Sequence, residues 1–300
     1  MGRDREREIA LSSLFKKIKR REWEKRKKEK DAEVIWRRGE IIGNYIFCYH
    51  FAHSTMALAK EYIKTEYSKG NIPYSGTVFI AKSLSKAKGR YGRIWYATLG
   101  GLWFTLLLYQ EIEPPYTHLY PLIAGIACCE TIREIGINAH IKWVNDLMVN
   151  GRKIGGILTE TYIAEDPYLL LGIGINVNND LPSNLDVPAI SIKSILKKIY
   201  NIDSLFCLLL TKLIWYVGLL HQIEIEMNTA RIIQIFTEYS DTIGRIVYYG
   251  EDIKNDRGKV AKVLGIDPYG GLNIKLYPEG EIATVYTGEL KYFKEKLWLE

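Results

Sequence analysis

The stretch YLLLGIGINVN, residues 168–178, constrains the fold more than any other in the chain. Up to Ile175 it is apolar or glycine without alternation, and a strand of that kind belongs where both faces of its sheet are covered. A layered α/β structure with this strand inside it follows. Glycines weaken strands, so Gly172 and Gly174, with Gly155 and Gly156 in the preceding KIGGIL, mark either the close approach of a ligand or backbone, or tight packing. The residues support those two readings equally.

The neighbouring segments fit the same frame. NYIFCYHF (44–51), TVFIA (77–81) and LWFTLLL (102–108) read as strands, and Ser54 and Thr55 stand at an N-cap before a helix whose Met56, Ala59, Ile63 and Tyr67 share one face. A helix is predicted over 119–135 with Gly136 to end it, and Asn150-Gly151 is a favoured two-residue hairpin turn. Residues 191–240 are helical in pattern. Beyond DTIGR the text changes to short strands with turns at Gly250, Asp256 to Gly258, Pro268 to Gly271 and Pro278 to Gly280, which predicts a small barrel.

A chain of 300 residues, 47% hydrophobic and 25% charged, can bury a sizeable core and hold more than one domain. The expected division is a basic helical extension at 1–40, a catalytic domain at 41–240 and the barrel at 241–300. The longest apolar run, LFCLLLTKLIWYVGLL (205–220), is interrupted by Lys212 and short for a bilayer, so a buried helix is predicted and no membrane partner. The first thirty residues are densely charged and lack the apolar segment of a signal peptide. Cys48, Cys128, Cys129 and Cys207 have neither zinc-ligand nor redox spacing, and a reducing, cytoplasmic compartment fits them.

The net charge of +6 lies entirely in residues 1–40, where 15 Lys and Arg face 9 Asp and Glu; the other 26 basic residues are matched by 26 acidic ones. Leu11, Leu14, Phe15 and Ile18 give that segment a small apolar stripe, and a solvated, frayed helix is the expectation. It is too short for a helix-turn-helix domain with a wing, which disfavours sequence-specific DNA binding.

Two stretches carry chemistry. In AKGRYGRIW (87–95), Lys88, Arg90 and Arg93 are freed by Gly89 and Gly92 to wrap an anion with cations and backbone N–H groups, and Trp95 offers a flat face to a base. In KWVNDLMVNGRKIGG (142–156), Asn145 and Asp146 supply oxygen ligands suited to Mg2+, and Lys142 and Lys153 balance a carboxylate or phosphate; Asp146 and Lys142 can equally form a structural ion pair. Together they point to nucleotide-dependent activation of an acid. The five histidines lack metal-site spacing, and neither a Walker-type phosphate loop nor a complete dinucleotide fingerprint is present.

From about Ile41 to the end, the chain resembles biotin protein ligases, in the form without an N-terminal DNA-binding domain. LSKAKGRYGRIW (84–95) is similar to the family's Gln-x-x-Gly-Arg-Gly-Arg-x-Gly-Arg-x-Trp loop, and KWVNDLMVNGRKIGGILTE to its Lys-Trp-Pro-Asn-Asp and Lys-hydrophobic-x-Gly strands. GIGINVN resembles its Gly-hydrophobic-Gly-hydrophobic-Asn element, HSTMALAK the Asp-Ser-Thr-Asn start of a helix, and the final segment its SH3-like barrel. The resemblance implies a mixed sheet flanked by helices, related to class II aminoacyl-tRNA synthetases and biotin synthetases, followed by that barrel. It implies activation of biotin by Mg-ATP as biotinyl-5'-AMP and transfer to a lysine of an apo biotin carboxyl carrier domain, with no tightly bound prosthetic group, in a homodimer.

Residue by residue, the resemblance implies that Lys153 and Arg90 are catalytic. It gives Ser54, Thr55, Lys88, Gly89, Gly156, Gly172 and Gly174, together with Arg90 and Lys153, to the biotin pocket. It gives Arg93, Trp95, Lys142, Asn145, Asp146 and Asn176 to ATP, with Mg2+ at Asp146. The chain departs from the pattern at Leu84 for glutamine, Ala87 for glycine, Lys88 for arginine and Met56 for asparagine. Lysine keeps charge and loses the planar fork, and an alkyl group at Leu84 cannot bond the polar ring of biotin. Two alternatives therefore stand beside biotin ligation: a ligase for a less polar acid such as lipoate or octanoate, and a catalytically weak binding or regulatory homologue.

Overall fold

The computed structural model describes residues 2–182, 184–185, 187–251 and 258–293. Two helices lead, α1 (Arg5–Arg26) and α2 (Ala32–Gly39), followed by β1 (Ile46–Ala52), α3 (Thr55–Ser68), β2 (Thr77–Leu84), β3 (Leu102–Tyr109) and α4 (Tyr120–Glu134). Next come β4 (His140–Lys142), β5 (Asp146–Val149), β6 (Arg152–Ile163), β7 (Pro167–Ile175), α5 (Ile192–Leu196), α6 (Ile202–Glu226) and α7 (Ala230–Tyr239). The last strands are β8 (Ile246–Gly250), β9 (Lys259–Ile266), β10 (Leu272–Leu276), β11 (Ile282–Val285) and β12 (Glu289–Tyr292).

Seven strands form one sheet in the order β1-β2-β3-β7-β6-β5-β4, in which only β1 and β2 run parallel. β7 is central and covered on both faces, as its apolar run requires. Strand side chains alternate between faces. Leu169, Leu171, Ile173 and Ile175 join the large core under α1, α2, α4 and α6, while Tyr168 and Leu170 pack with Met56, Ala59 and Ile63 of α3. Gly172 and Gly174 continue the α3 face beneath the side chains of Met56 and Trp95.

The local signals read from sequence operate here. Ser54 caps α3 by accepting a hydrogen bond from the Ala57 amide. Asn150 and Gly151 both have positive φ, 49° and 71°, in the tight turn between β5 and β6. Gly136, at φ 86°, follows the end of α4. α6 is long and apolar enough to cross a membrane by length and composition, yet 83% of its apolar window is buried inside the protein. It is the central core helix, touching α1, α2 and α4.

The N-terminal segment departs from expectation: it is docked, not frayed. α1 buries Leu11, Phe15, Ile18 and Glu22. Its lead-in closes the β1 edge, with the Asp4 amide donating to the Cys48 carbonyl at 2.7 Å and Glu8 Oε1 accepting from the Cys48 amide at 2.9 Å. At the other end Lys212 of α6, 2% exposed, reaches Glu22 at 2.5 Å, Glu130 at 3.0 Å and Glu134 at 3.1 Å. A short apolar stripe alone holds a helix weakly; a shared buried cation with three carboxylates ties it to α4 and α6.

The C-terminal strands make a second, antiparallel sheet in the order β11-β10-β9-β8-β12, with Val247, Ala261, Val263, Leu272 and Ile274 inside. Of the expected turns, Asp256 lies outside the described residues, and Gly258, Gly270 and Gly280 have positive φ.

Candidate active site

Strand register lays out the site. Trp103, Gly174, Gly156, Asp146 and Lys142 are successive cross-strand partners over β3, β7, β6, β5 and β4, and so form one row on the α3 face. Thr105 and Gly172 make the row beside it. Lys153 has odd parity relative to Gly156 and by simple alternation belongs on the opposite face. The register shifts between Leu147 and Met148, pairing Met148 with Lys153 and leaving Ile154 as an extra residue. Such a bulge re-aims a side chain, and it turns Lys153 onto the Asp146 face.

The Lys153 ammonium sits 2.5 Å from Asp146 Oδ1, and Lys142 stands 3.8 Å from Oδ2. Burial pushes the Asp146 carboxyl up, but Lys153 and Lys142 outweigh it and hold the group below the ordinary carboxylate range, with Arg90 adding to them. Burial pushes Lys142 down, offset in part by Asp146. The Lys153 ammonium also lies over the Trp95 ring, 5.1 Å from its centre. The Trp95 indole N–H is buried and has no hydrogen-bond partner among the described residues.

Residues 87–95 form a small hairpin flap above this row. The Gly89 amide donates to the Arg93 carbonyl at 2.8 Å and the Trp95 amide to the Ala87 carbonyl at 3.0 Å. Tyr91 takes φ 56°, and its ring is flanked by the guanidinium groups of Arg90 and Arg93 at 5.1 and 5.6 Å. Ala87, Ala97 and Trp103, with Leu84 and Trp95, make an apolar cluster separate from the main core. At its tip the flap meets the C-terminal sheet: Arg90 donates to the Gly288 carbonyl at 3.0 Å, and Arg93 forms a two-pronged ion pair with Glu289.

Of the residues expected here, Arg90, Trp95, Lys142, Asp146, Lys153, Gly156 and Gly174 come together. Thr55 is buried one row away, its hydroxyl 2.8 Å from that of Thr105, while Met56 packs where a Cβ on Gly172 would lie, at 3.1 Å. Ser54 caps its helix. Lys88 is exposed on the flap. The Asn145 side-chain amide donates to the Ile157 carbonyl at 2.7 Å and so braces backbone, while the buried Asn176 side chain accepts from the Asn179 side-chain amide at 3.1 Å.

The four glycines divide. A Cβ on Gly155 would meet the Gly174 carbonyl at 2.7 Å, which is a packing demand on the helix side of the sheet. On the α3 face, a Cβ on Gly174 would press on the Trp95 indole at 3.0 Å, and Gly156 and Gly172 lie beneath the tips of Lys153 and Met56. Sequence reading missed Thr105, Trp103, Gly288 and Glu289. An alternating Thr within an apolar strand was an available signal for the first.

No group of three or more His, Cys, Asp or Glu suited to a metal occurs among the described residues. Asp146, with two ammonium partners, is suited to meeting a metal carried in on phosphates and is not a cage for one.

The chain is similar to several known proteins. Residues 50–178 match the biotin/lipoate A/B protein ligase family. The bifunctional ligase/repressor BirA of Bacillus subtilis is 36% identical over 153 residues, 49% of this chain and 45% of that protein. The biotin-protein ligase of Homo sapiens is 32% identical over 117 residues, 36% of this chain and 16% of that protein. The match thus spans less than half the length of these curated relatives. The biotin protein ligase of Aquifex aeolicus, solved in complex with biotin and ATP, is 26% identical with a TM-score of 0.69, covering 84% of this chain and all, 100%, of that one. Over residues 50–178 the chain is thus similar to the biotin/lipoate A/B protein ligase family, and its fold is similar to that of the solved biotin protein ligase.

Proposed function

We propose that this chain is an ATP-dependent biotin protein ligase. In this reading the biotin carboxylate attacks the α-phosphorus of Mg-ATP, the P–O bond to pyrophosphate breaks, and biotinyl-5'-AMP forms. The lysine amine of a biotin carboxyl carrier domain then attacks the acyl carbon, AMP leaves with the electrons of the anhydride bond, and the amine proton passes to solvent.

The observation that carries this reading is the Lys153 ammonium at 2.5 Å from Asp146, over the Trp95 ring and beneath an arginine-bearing flap. A carboxylate and a triphosphate repel each other, and fixed cations already oriented in a partly dry site stabilise the charge that gathers on the α-phosphate. Lys153, able to leave Asp146 for an incoming oxyanion, would bridge carboxylate and phosphate; Arg90 would cover the phosphates; Trp95 would stack on adenine. The glycine face of β6 and β7 gives the acid a floor without side chains. Mg2+ enters on ATP, with Asp146 the carboxylate nearest to hand.

Leu84 turns an alkyl group toward Trp95 and Trp103, where the family pattern has an amide. The ring of the acid is then held by hydroxyls and backbone of the Thr55 region. ATP-pyrophosphate exchange with biotin, lipoate, octanoate or no acid tests the proposal. Exchange that depends on biotin and disappears in Lys153→Ala is the expected result; exchange with another acid only, or unchanged exchange in Lys153→Ala, refutes it.

A further inference from the structure

The flap is a hairpin with a satellite core of its own, so closure over the site depends on what holds its tip. The tip is held by two consecutive residues of the C-terminal sheet. Glu289 opens β12, and its carboxylate takes Arg93 by both terminal nitrogens, with Nη2 2.8 Å from Oε2. Gly288 presents its carbonyl to Arg90 at 3.0 Å.

That catch is rigidly mounted. Gly288 has φ 110°, and a Cβ there would stand 2.6 Å from the Tyr249 ring and 3.1 Å from the Gly250 carbonyl, so no larger residue fits without moving β8. Leu290, which follows Glu289, is buried, and β12 pairs with β8 over four residues. A planar fork on a carboxylate is directional. Arg93 gives both terminal nitrogens to a carboxylate, whereas Arg90 donates to two neutral acceptors, the Gly288 carbonyl and the Tyr91 hydroxyl at 3.1 Å, and its charge reaches Asp146. The two arginines therefore have separate tasks.

Resting on the ligase reading above, we infer that Glu289 is a positioning residue: its pair with Arg93 latches the 87–95 flap shut over the acid and its adenylate, and Arg93 is the bolt of that latch, with the phosphate contact left to Arg90. The latch makes the C-terminal sheet part of the site, and the residue that closes the pocket lies almost two hundred positions from the flap.

Charge reversal tests it on the full chain. In the ligand-free protein, trypsin cleavage after Lys88 and Arg90 should be about tenfold faster in Glu289→Gln and Arg93→Glu, the ratio that a partly exposed bidentate pair can set. The double variant Arg93→Glu with Glu289→Arg should return to within about threefold of the parent, since it rebuilds the pair with exchanged ends. Equal cleavage of Glu289→Gln and parent, or a double variant as labile as Arg93→Glu, overturns the latch.

A second arm follows release of radiolabelled biotinyl-AMP. Glu289→Gln should release it about tenfold faster with KM for ATP changed less than about threefold, and the double variant should retain it. A raised KM for ATP that charge reversal does not rescue would make Arg93 a phosphate ligand and overturn the inference. If the parent protein forms no adenylate, the ligase reading fails and cleavage alone decides the latch.

Discussion

Replacing Lys212 with methionine keeps the length of the side chain and removes its charge. Glu22 is 1% exposed, and its Oε2 accepts no hydrogen bond among the described residues even with Lys212 present, Lys25 standing 3.5 Å away. Without the ammonium, Glu22 and Glu130 keep Arg26, which lies 3.2 Å from Glu22 and also bonds Glu130, and Glu134 keeps Lys25 at 2.6 Å. Removing one member of a buried ion pair costs about 3–5 kcal/mol. Arg26 still serves two of the carboxylates, which puts Lys212→Met near the lower end, about 3 kcal/mol, or a Tm lower by roughly 6–12 °C.

The double variant Lys212→Met with Glu22→Leu removes an orphaned charge along with its partner and should recover more than half of that loss. Urea unfolding followed by tryptophan fluorescence measures both. Hydrogen exchange should show the amides of α1 opening first in the single variant. The pH dependence has a fixed sign. Burial pushes Glu130 and Glu134 up from 4.5, but Arg26, Lys25 and Lys212 prevail and hold them below it. Their stabilisation is complete above the unfolded value and is lost as pH falls through the lower folded one. The parent should therefore lose stability steeply in acid, and Lys212→Met should show a shallower acid limb. A single variant within about 1 kcal/mol of the parent, or a double variant weaker than the single, would refute the view that this cation seats α1.

Three further outcomes are expected. Asp146→Asn removes the counter-charge that orients Lys153 and should lower the rate of adenylate formation by about a hundredfold with a smaller change in KM for biotin, measured by pyrophosphate exchange. Gly174→Ala forces a methyl against Trp95 and should raise KM for ATP about tenfold while leaving the fold intact by circular dichroism, because the indole is the part that moves. Leu84→Gln restores an amide beside the ring pocket and should tighten biotin about tenfold in calorimetry; an unchanged affinity would show that hydroxyls and backbone already serve the ring.

What could be read from the chain was local. The unbroken apolar run of β7, the Ser54 cap, the Asn150-Gly151 turn and the order of the motifs all lie in short windows, and each has a physical signal there. The docking of α1 had none, because its apolar stripe ends at Glu22 and the lysine that receives that carboxylate lies 190 residues away. Glu289 was hidden for the same reason, 196 residues from Arg93. Gly155 and Gly156 looked alike in sequence and differ only because alternate faces of β6 meet a helix layer and the site. The face of Lys153 depends on pairing with β5, which no window containing KIGG reveals.

The extra residue at Ile154 specifies chemistry through strand pairing. Between the tight turn and Gly156, identity decides that a lysine is present, but the bulged pairing with β5 decides that it faces Asp146. Deleting Ile154 would leave Lys153 two residues from Gly156 and still on the Asp146 face by plain alternation, whereas keeping Ile154 and pairing it regularly with Met148 would turn the ammonium toward the helical core. A point substitution on the site's rows, by contrast, leaves the bulge and therefore the face of Lys153 unchanged. A sheet built in this way sets the direction of its lysine through a neighbouring strand and not through the residues beside it in sequence.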